Sequence, residues 1–345
     1  MSFDTLVYIG RFQPLHNSHL ALIRQALALA PSLILVLGSA FRPRSVRNPF
    51  NVAEREAMIR ASLGGDADRV RFVPMRDYYN GARWAEAVRQ SVMAVVRPDE
   101  KLGLFGHVKD HSSRYLHDFP DWPLVHTNNV AGLNATDLRR QWFEANGDTQ
   151  AIAAQLPDAV RNTLQAFGSS PAFAGLLAEY RYLQDYQRAW AKAPFPPVFV
   201  TVDTLVRCGD KVLLIQRGGQ PGKGCWALPG GFLDQHERVA AAALRELREE
   251  TGLTLADTEL QASLQSQALF DHPERSLRGR TLTHAYYYAL PQAELPAMQA
   301  ADDASAARWV AIDQLAGMED QLFEDHFIIL DHFLKLIDPN RPSPG

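Results

Sequence analysis

With 345 residues the chain exceeds a single domain of ordinary size and suits two, each long enough to bury its own core. Hydrophobic residues make up 46% and charged residues 21%, the balance of a globular chain, and a formal net charge of −4 argues against the broadly basic surface that nucleic-acid binding needs. Cys208 and Cys225 alone exclude a disulfide framework or a four-cysteine zinc site and leave at most one isolated bridge.

The start, Met1-Ser2-Phe3-Asp4-Thr5, lacks the basic and apolar regions of a secretory signal, and no later stretch calls for a membrane, so a cytoplasmic location is expected. Apolar runs at Leu6–Ile9, Leu33–Leu37, Val70–Val73, Leu102–Phe105 and Trp122–Val125 alternate with helical patterns. These include the recurrence of Leu20, Ile23, Leu27 and Ala30, then Val52–Leu63 and Trp84–Val96. That alternation predicts an α/β fold with a doubly wound parallel sheet, which binds ligands at the carboxyl ends of its strands.

The first run leads into Gly10-Arg11-Phe12-Gln13-Pro14-Leu15-His16-Asn17-Ser18-His19, with a helix expected from about Ser18. Gly10 lets the backbone leave the sheet, and His16 and His19 sit at a positive helix end where imidazoles can donate to phosphates. Farther on, Asn134-Ala135-Thr136-Asp137-Leu138-Arg139 offers a hydroxyl and an arginine fork one helical turn apart. The first segment resembles the HxGH nucleotidylyltransferases, with Ser18 where glycine is usual. The second matches their SxTxxR element with Asn134 in place of serine.

Within that superfamily Gly38-Ser39-Ala40, Arg47-Asn48-Pro49-Phe50, Glu54-Arg55 and Asp77-Tyr78-Tyr79-Asn80 with Trp84 look like the archaeal-type nicotinamide mononucleotide (NMN) adenylyltransferases. Gly106-His107-Val108-Lys109-Asp110 looks like a nucleotide-contact loop. The resemblance implies His16, His19 and Arg139 as catalytic residues. It implies Gly10, Arg11, Phe12, Asn48, Trp84, Gly106, Asp110, Asn134 and Thr136 as contacts to ATP and NMN, with Trp84 able to stack on a pyridine ring.

Residues 158–192 read as helical until Pro194-Phe195-Pro196-Pro197 stops them. The expected domains are 1–170, a helical linker 171–196, and 197–345. From Val198 the chain turns to β-branched alternation at 198–206 and 211–216, a helix over 238–250, and strands at 260–270 and 281–290, an α+β plan.

On the 238–250 helix Glu246, Glu249 and Glu250 share one arc, with Ala240, Ala241, Leu244 and Leu247 expected on the opposite face. Clustered carboxylates repel unless a cation compensates, and an oxygen-only set suits a hard ion such as magnesium or manganese. Gly230 and Gly231, Glu237 six residues on, and Arg245-Glu246-Leu247-Arg248-Glu249-Glu250-Thr251-Gly252-Leu253 resemble the Nudix box at every specified position. The resemblance implies Glu237, Arg245, Glu246, Glu249 and Glu250 as catalytic, the last three as metal ligands, and Gly230 and Gly231 beside the bound diphosphate. The stretch from Phe270 to His284 looks like a loop and strand of the superfamily's ADP-ribose pyrophosphatases, implying Arg278 and Arg280 as ADP-ribose contacts.

Together the segments are similar to bifunctional NMN adenylyltransferase and Nudix ADP-ribose pyrophosphatases. The implied reactions are NMN plus ATP to NAD and pyrophosphate, and magnesium- or manganese-dependent hydrolysis of ADP-ribose to AMP and ribose 5-phosphate. The implied partners are small molecules (NMN, ATP, ADP-ribose), with no nucleic acid and no membrane; a homo-oligomer is left open. Two alternatives stand beside this reading: a different adenylyl acceptor, and an ADP-ribose-sensing regulator that does not cut. The intact glutamates speak against the regulator.

Overall fold

The computed structural model describes residues 3–106, 116, 118–127, 133–291 and 294–337. The chain divides into two compact units, one ending at Leu177 and one beginning at Ala178.

In the first unit β1 (Thr5–Gly10), β2 (Ser32–Leu37), β3 (Val70–Pro74), β4 (Leu102–Gly106) and β5 (Leu124–His126) form an all-parallel sheet in the order β3-β2-β1-β4-β5. The strands read as continuous apolar runs because both faces are covered, as in Leu33 to Leu37, which are fully buried. The crossover helices are α1 (Asn17–Leu29), α2 (Val52–Leu63) and α3 (Gly81–Met93), followed by α4 (Ala135–Glu144) and α5 (Asp158–Gly168). The strand order reverses at β1, so the carboxyl ends of β1 and β4 open the crevice where such sheets take ligands.

The fifth expected strand begins two residues later than the apolar run, because Trp122 sits in a turn and packs into the core. The helical stretch over 158–192 is two helices, α5 and α6 (Pro171–Trp190), since Ser169 ends the first and Pro171 opens the second. The division between units falls within α6.

The second unit holds a mixed sheet in the order β11-β7-β6-β10-β9: β6 (Val198–Cys208), β7 (Lys211–Arg217), β9 (Leu264–Phe270), β10 (Arg280–Leu290) and β11 (Ala304–Ala311), with the short β8 (Trp226–Ala227) beside β7. β6 and β10 run parallel and the other pairs antiparallel. One face packs against α7 (Val239–Thr251) and the other against α9 (His326–Leu334). Strand β11 and helix α9 have no counterpart in the sequence reading. The expected strand over 260–270 is shortened because Asp257–Ala262 forms the helix α8. The buried face of α7 also differs from expectation: Ala242 and Ala243 are buried, whereas Ala240 and Ala241 are exposed. The core-facing stripe follows Ala243, Leu247 and Glu250, which brings Glu250 inside. Gly252 ends α7 in the left-handed region at φ 60°, where only glycine avoids a steric penalty. Cys208 and Cys225 are free thiols. No helix among the described residues is long and apolar enough to cross a membrane.

Candidate active sites

In the first unit the chain leaves β1 through a tightly packed turn. A Cβ at Gly10 would stand 2.8 Å from the Phe12 ring, so close approach, not an unusual backbone angle, requires the glycine. Phe12 is buried with φ 49° and sets its ring edge-on to those of Tyr8 and His19. Helix α1 begins at Asn17, one residue before the expected start, with His16 as N-cap: its Nδ1 accepts the His19 amide, and the two imidazoles stack at 3.7 Å between centroids. An accepting Nδ1 leaves the proton of a neutral His16 ring on Nε2. Ser18 is buried in the first turn.

Arg139, from α4, is nearly buried; it donates to the Gln13 carbonyl and to Thr136 Oγ1, the latter at 3.2 Å. Burial, reinforced by the positive charges of Arg11 and Arg47, lowers its pKa to about 10. Asn134 acts as a plain N-cap, accepting the Asp137 amide at 2.8 Å. A fully buried Arg55 donates Nη1 to the carbonyls of Arg11 and Gly38, both at 2.8 Å, and thereby ties together the ends of β1 and β2. The charges of Arg11 and Arg47 thus act on Arg139, which is bonded to the loop that leads from β1 to the stacked histidines, a grouping suited to a polyphosphate.

Among the described residues Asn48 Oδ1 is buried with no hydrogen-bond partner, an acceptor that a ligand N–H can satisfy. Asp77 accepts from Ser39 Oγ and from Arg42 Nε at 3.1 Å. Trp84 lies edge-on to Phe119 at 6.0 Å against the core. Gly106 is the last residue of β4, and Asp110 lies outside the described residues.

In the second unit the glycines of the box are again places of close approach. A Cβ at Gly230 would stand 2.1 Å from the Val202 carbonyl, and one at Gly231 2.5 Å from the Glu246 carboxylate. Arg245 gathers the carboxylates: it bonds Glu237 at 2.6 and 3.1 Å, Glu246 at 2.9 Å, Glu249 at 2.8 Å and the Phe232 carbonyl at 3.2 Å. That contact is the largest cause holding Glu237 below the usual glutamate range.

Glu250 behaves differently. It is buried and accepts the Gly230 amide at 2.8 Å, and burial, together with the Asp303 carboxyl and the charge of Glu246, pushes it up to about 9. Burial also raises Glu246, against the pull of Arg245. Buried Glu250 thus sits beside half-buried Glu246 and exposed Asp303, while Glu249 is exposed and paired with Arg245. Among the described residues no three such side chains surround a common point as metal ligands. The chemistry of the donor set still fits a hard divalent cation, because carboxylates that burial drives toward the neutral form stay charged only with a cation beside them.

Arg278 lies over the Phe232 ring at 4.9 Å, next to the box, whereas Arg280 is turned to the Asp271 carbonyl. The sequence reading missed Arg217, which lies over Phe323 at 4.3 Å and interacts electrostatically with Arg278, Glu324, Asp303 and Glu250. It also missed Asp303 and the buried Asp203, Arg275, Asp325 and His326. No motif spacing connects these residues to the box.

Two family models match: Cytidylyltransferase-like over residues 7–140 and NUDIX domain over residues 197–333. The chain is 38% identical over 181 residues to a nicotinamide/nicotinic acid mononucleotide adenylyltransferase of Acinetobacter baylyi, covering 52% of this chain and 94% of that protein. It is 33% identical over 136 residues to an ADP-ribose pyrophosphatase of Methanocaldococcus jannaschii, covering 39% of this chain and 73% of that one. Crystal structures of a bifunctional NMN adenylyltransferase/ADP ribose pyrophosphatase from Francisella tularensis superpose with TM-scores of 0.91 and 0.90. They are 36% and 35% identical and cover 96% of this chain and 99% of theirs; the second is complexed with AMP and a Mn ion.

Proposed function

This chain belongs to the family of bifunctional NMN adenylyltransferase/ADP-ribose pyrophosphatases, and from that premise we propose that it makes NAD from NMN and ATP and hydrolyses ADP-ribose to AMP and ribose 5-phosphate. Residues 1–170 form the transferase domain, 171–196 a helical linker and 197–345 the hydrolase domain. Both reactions belong to the cytoplasm.

In the transferase the NMN phosphate attacks the α-phosphorus of ATP in line. A new P–O bond forms as the α–β bridge breaks, and pyrophosphate leaves with the electron pair. His16 and His19, with Arg11, Arg47 and Arg139, hold the triphosphate and stabilise the charge that grows on it. Gly10, Phe12, Thr136 and Asn134 shape that pocket, and Asn48, Trp84, Gly106 and Asp110 meet the nucleotides. The observation that carries this half is the stacked pair His16 and His19 at the α1 N-terminus, with Arg139, bonded to the same loop, feeling the charges of Arg11 and Arg47. A second acceptor, nicotinic acid mononucleotide, is favoured by the name of the Acinetobacter relative.

In the hydrolase Gly230 and Gly231 let the substrate's diphosphate reach the backbone, and Arg278 and Arg280 contact ADP-ribose. Glu246, Glu249 and Glu250 would hold magnesium or manganese. When bound, that ion neutralises phosphate charge and lowers the pKa of water. Arg245 orients Glu237, Glu246 and Glu249 through its hydrogen bonds. The test is an acceptor panel with ATP, NMN against nicotinic acid mononucleotide and phosphopantetheine, with the products identified by mass. A dinucleotide product from NMN supports the reading, and adenylylation of phosphopantetheine alone refutes it.

A further inference from the structure

The turn that carries Gly230 and the loop that carries Arg278 are both held by one short segment outside the Nudix box. Glu324, Asp325 and His326 lead into α9, and each side chain reaches a different target. Glu324 Oε1 accepts the Ser276 hydroxyl at 2.8 Å and the Leu277 amide at 3.1 Å. Asp325 takes Arg275 in a two-point ion pair, 2.9 Å to Nε and 2.8 Å to Nη2, with both partners buried. His326 Nδ1 accepts the Leu228 amide at 2.9 Å. Successive backbone groups are thereby fixed: Leu228 N–H by His326, the Pro229 carbonyl by Thr204, and Gly230 N–H by Glu250. On the second loop, Arg275, Ser276 and Leu277 are fixed in the same way.

This arrangement is costly. Glu324 has φ 42°, in the left-handed region that a glutamate occupies only at a conformational penalty, when its surroundings over-determine it. A buried ion pair is commonly no more stable than apolar packing of the same volume. Stability alone therefore gives no reason for three consecutive polar side chains whose targets directly precede Gly230 and Arg278.

We propose that Glu324, Asp325 and His326 are positioning residues, a tripod that sets the Leu228–Gly231 turn and the Arg275–Arg278 loop in the arrangement ADP-ribose hydrolysis requires. The inference rests on the hydrolase reading above.

Three full-length variants test it: His326→Leu removes the acceptor for Leu228, His326→Asn keeps one near the Nδ1 position, and Glu324→Gly relieves the backbone angle while freeing Ser276 and Leu277. Wild-type hydrogen exchange in β6 and β10 of the same unit reports that each variant folds. His326→Leu lowers kcat for ADP-ribose by about tenfold or more with KM nearly unchanged, the size typical of supporting partners, and His326→Asn restores most of it. Glu324→Gly instead raises KM. Hydrogen exchange quickens at residues 226–231 in His326→Leu and at 275–279 in Glu324→Gly. Equal losses in His326→Leu and His326→Asn, or wild-type constants in all three variants, overturn the tripod. A wild-type chain that leaves ADP-ribose intact overturns the hydrolase reading instead; the exchange measurement then decides the tripod, and unchanged exchange at both loops refutes it.

Discussion

Replacing Glu250 by glutamine keeps the shape of the side chain and an oxygen to accept the Gly230 amide, but removes the charge. In the folded chain this carboxyl is pushed up to about 9 from the usual 4.5, chiefly by burial and then by Asp303 and Glu246. Its folded pKa lies above its unfolded one, so its stabilising contribution is complete below about 4.5 and is lost as pH rises toward 9. Between those limits the loss grows by about 1.4 kcal/mol per pH unit, which by pH 7.5 is at most about 4 kcal/mol. Without divalent metal, Glu250→Gln is therefore more stable than the wild type at pH 7.5, by several degrees in Tm, and equal to it near pH 4.5. A divalent cation raises the wild-type Tm and narrows the gap, since it stabilises the ionised carboxylate. ADP-ribose hydrolysis falls at least about a hundredfold, while NAD synthesis is unchanged. The assay pairs thermal melts across pH, with chelator and with magnesium, with steady-state rates of both reactions. A variant that hydrolyses ADP-ribose within about tenfold of wild type, with melts that track the wild type at every pH, would refute the reasoning.

His19→Ala removes most adenylyl transfer and leaves ADP-ribose hydrolysis within about threefold, because the two motifs lie in separate compact units; parallel losses of both would contradict this. Asn48→Leu leaves Tm nearly unchanged, since Oδ1 has no partner to lose among the described residues, yet raises KM for NMN or ATP by about tenfold, as expected when a ligand donor loses its acceptor. Wild-type KM values for both substrates would remove Asn48 from the site. Glu100 pays for its burial through hydrogen bonds from Arg71, Thr5 and the Arg97 amide, which together bring its carboxyl down to about 2. Its contribution is present above its unfolded pKa and lost as pH falls toward 2. Glu100→Gln accordingly costs about 2–3 kcal/mol at pH 7 and little near pH 2, as denaturant titrations at the two pH values can check.

What the sequence made legible was local. Arg245 meets Glu249 one turn on, and His16 caps the helix that carries His19, so helical spacing alone brings these groups together. The parallel sheet followed from runs apolar on both faces. Helix faces and long-range partners were less accessible. Glu246, Glu249 and Glu250 share an arc by spacing, but only the packing of α7 on β6 decides that Glu250 is buried and Glu249 exposed. Leu228 and His326 are 98 residues apart, and Arg55 reaches Arg11 across 44, distances over which no periodicity carries information. Trp84 read equally well as a stacking residue or as core; it is partly buried and packs against the core, a placement that spacing alone does not give.

The central claim, two independent sites acting on adenosine diphosphate linkages, is tested most directly by one phosphorus NMR time course on the full chain with NMN, ATP, ADP-ribose and magnesium together. The account predicts that pyrophosphate and NAD appear and NAD then persists, while ADP-ribose is converted to AMP and ribose 5-phosphate. Absence of NAD, or its loss at a rate within about tenfold of ADP-ribose hydrolysis, would contradict it.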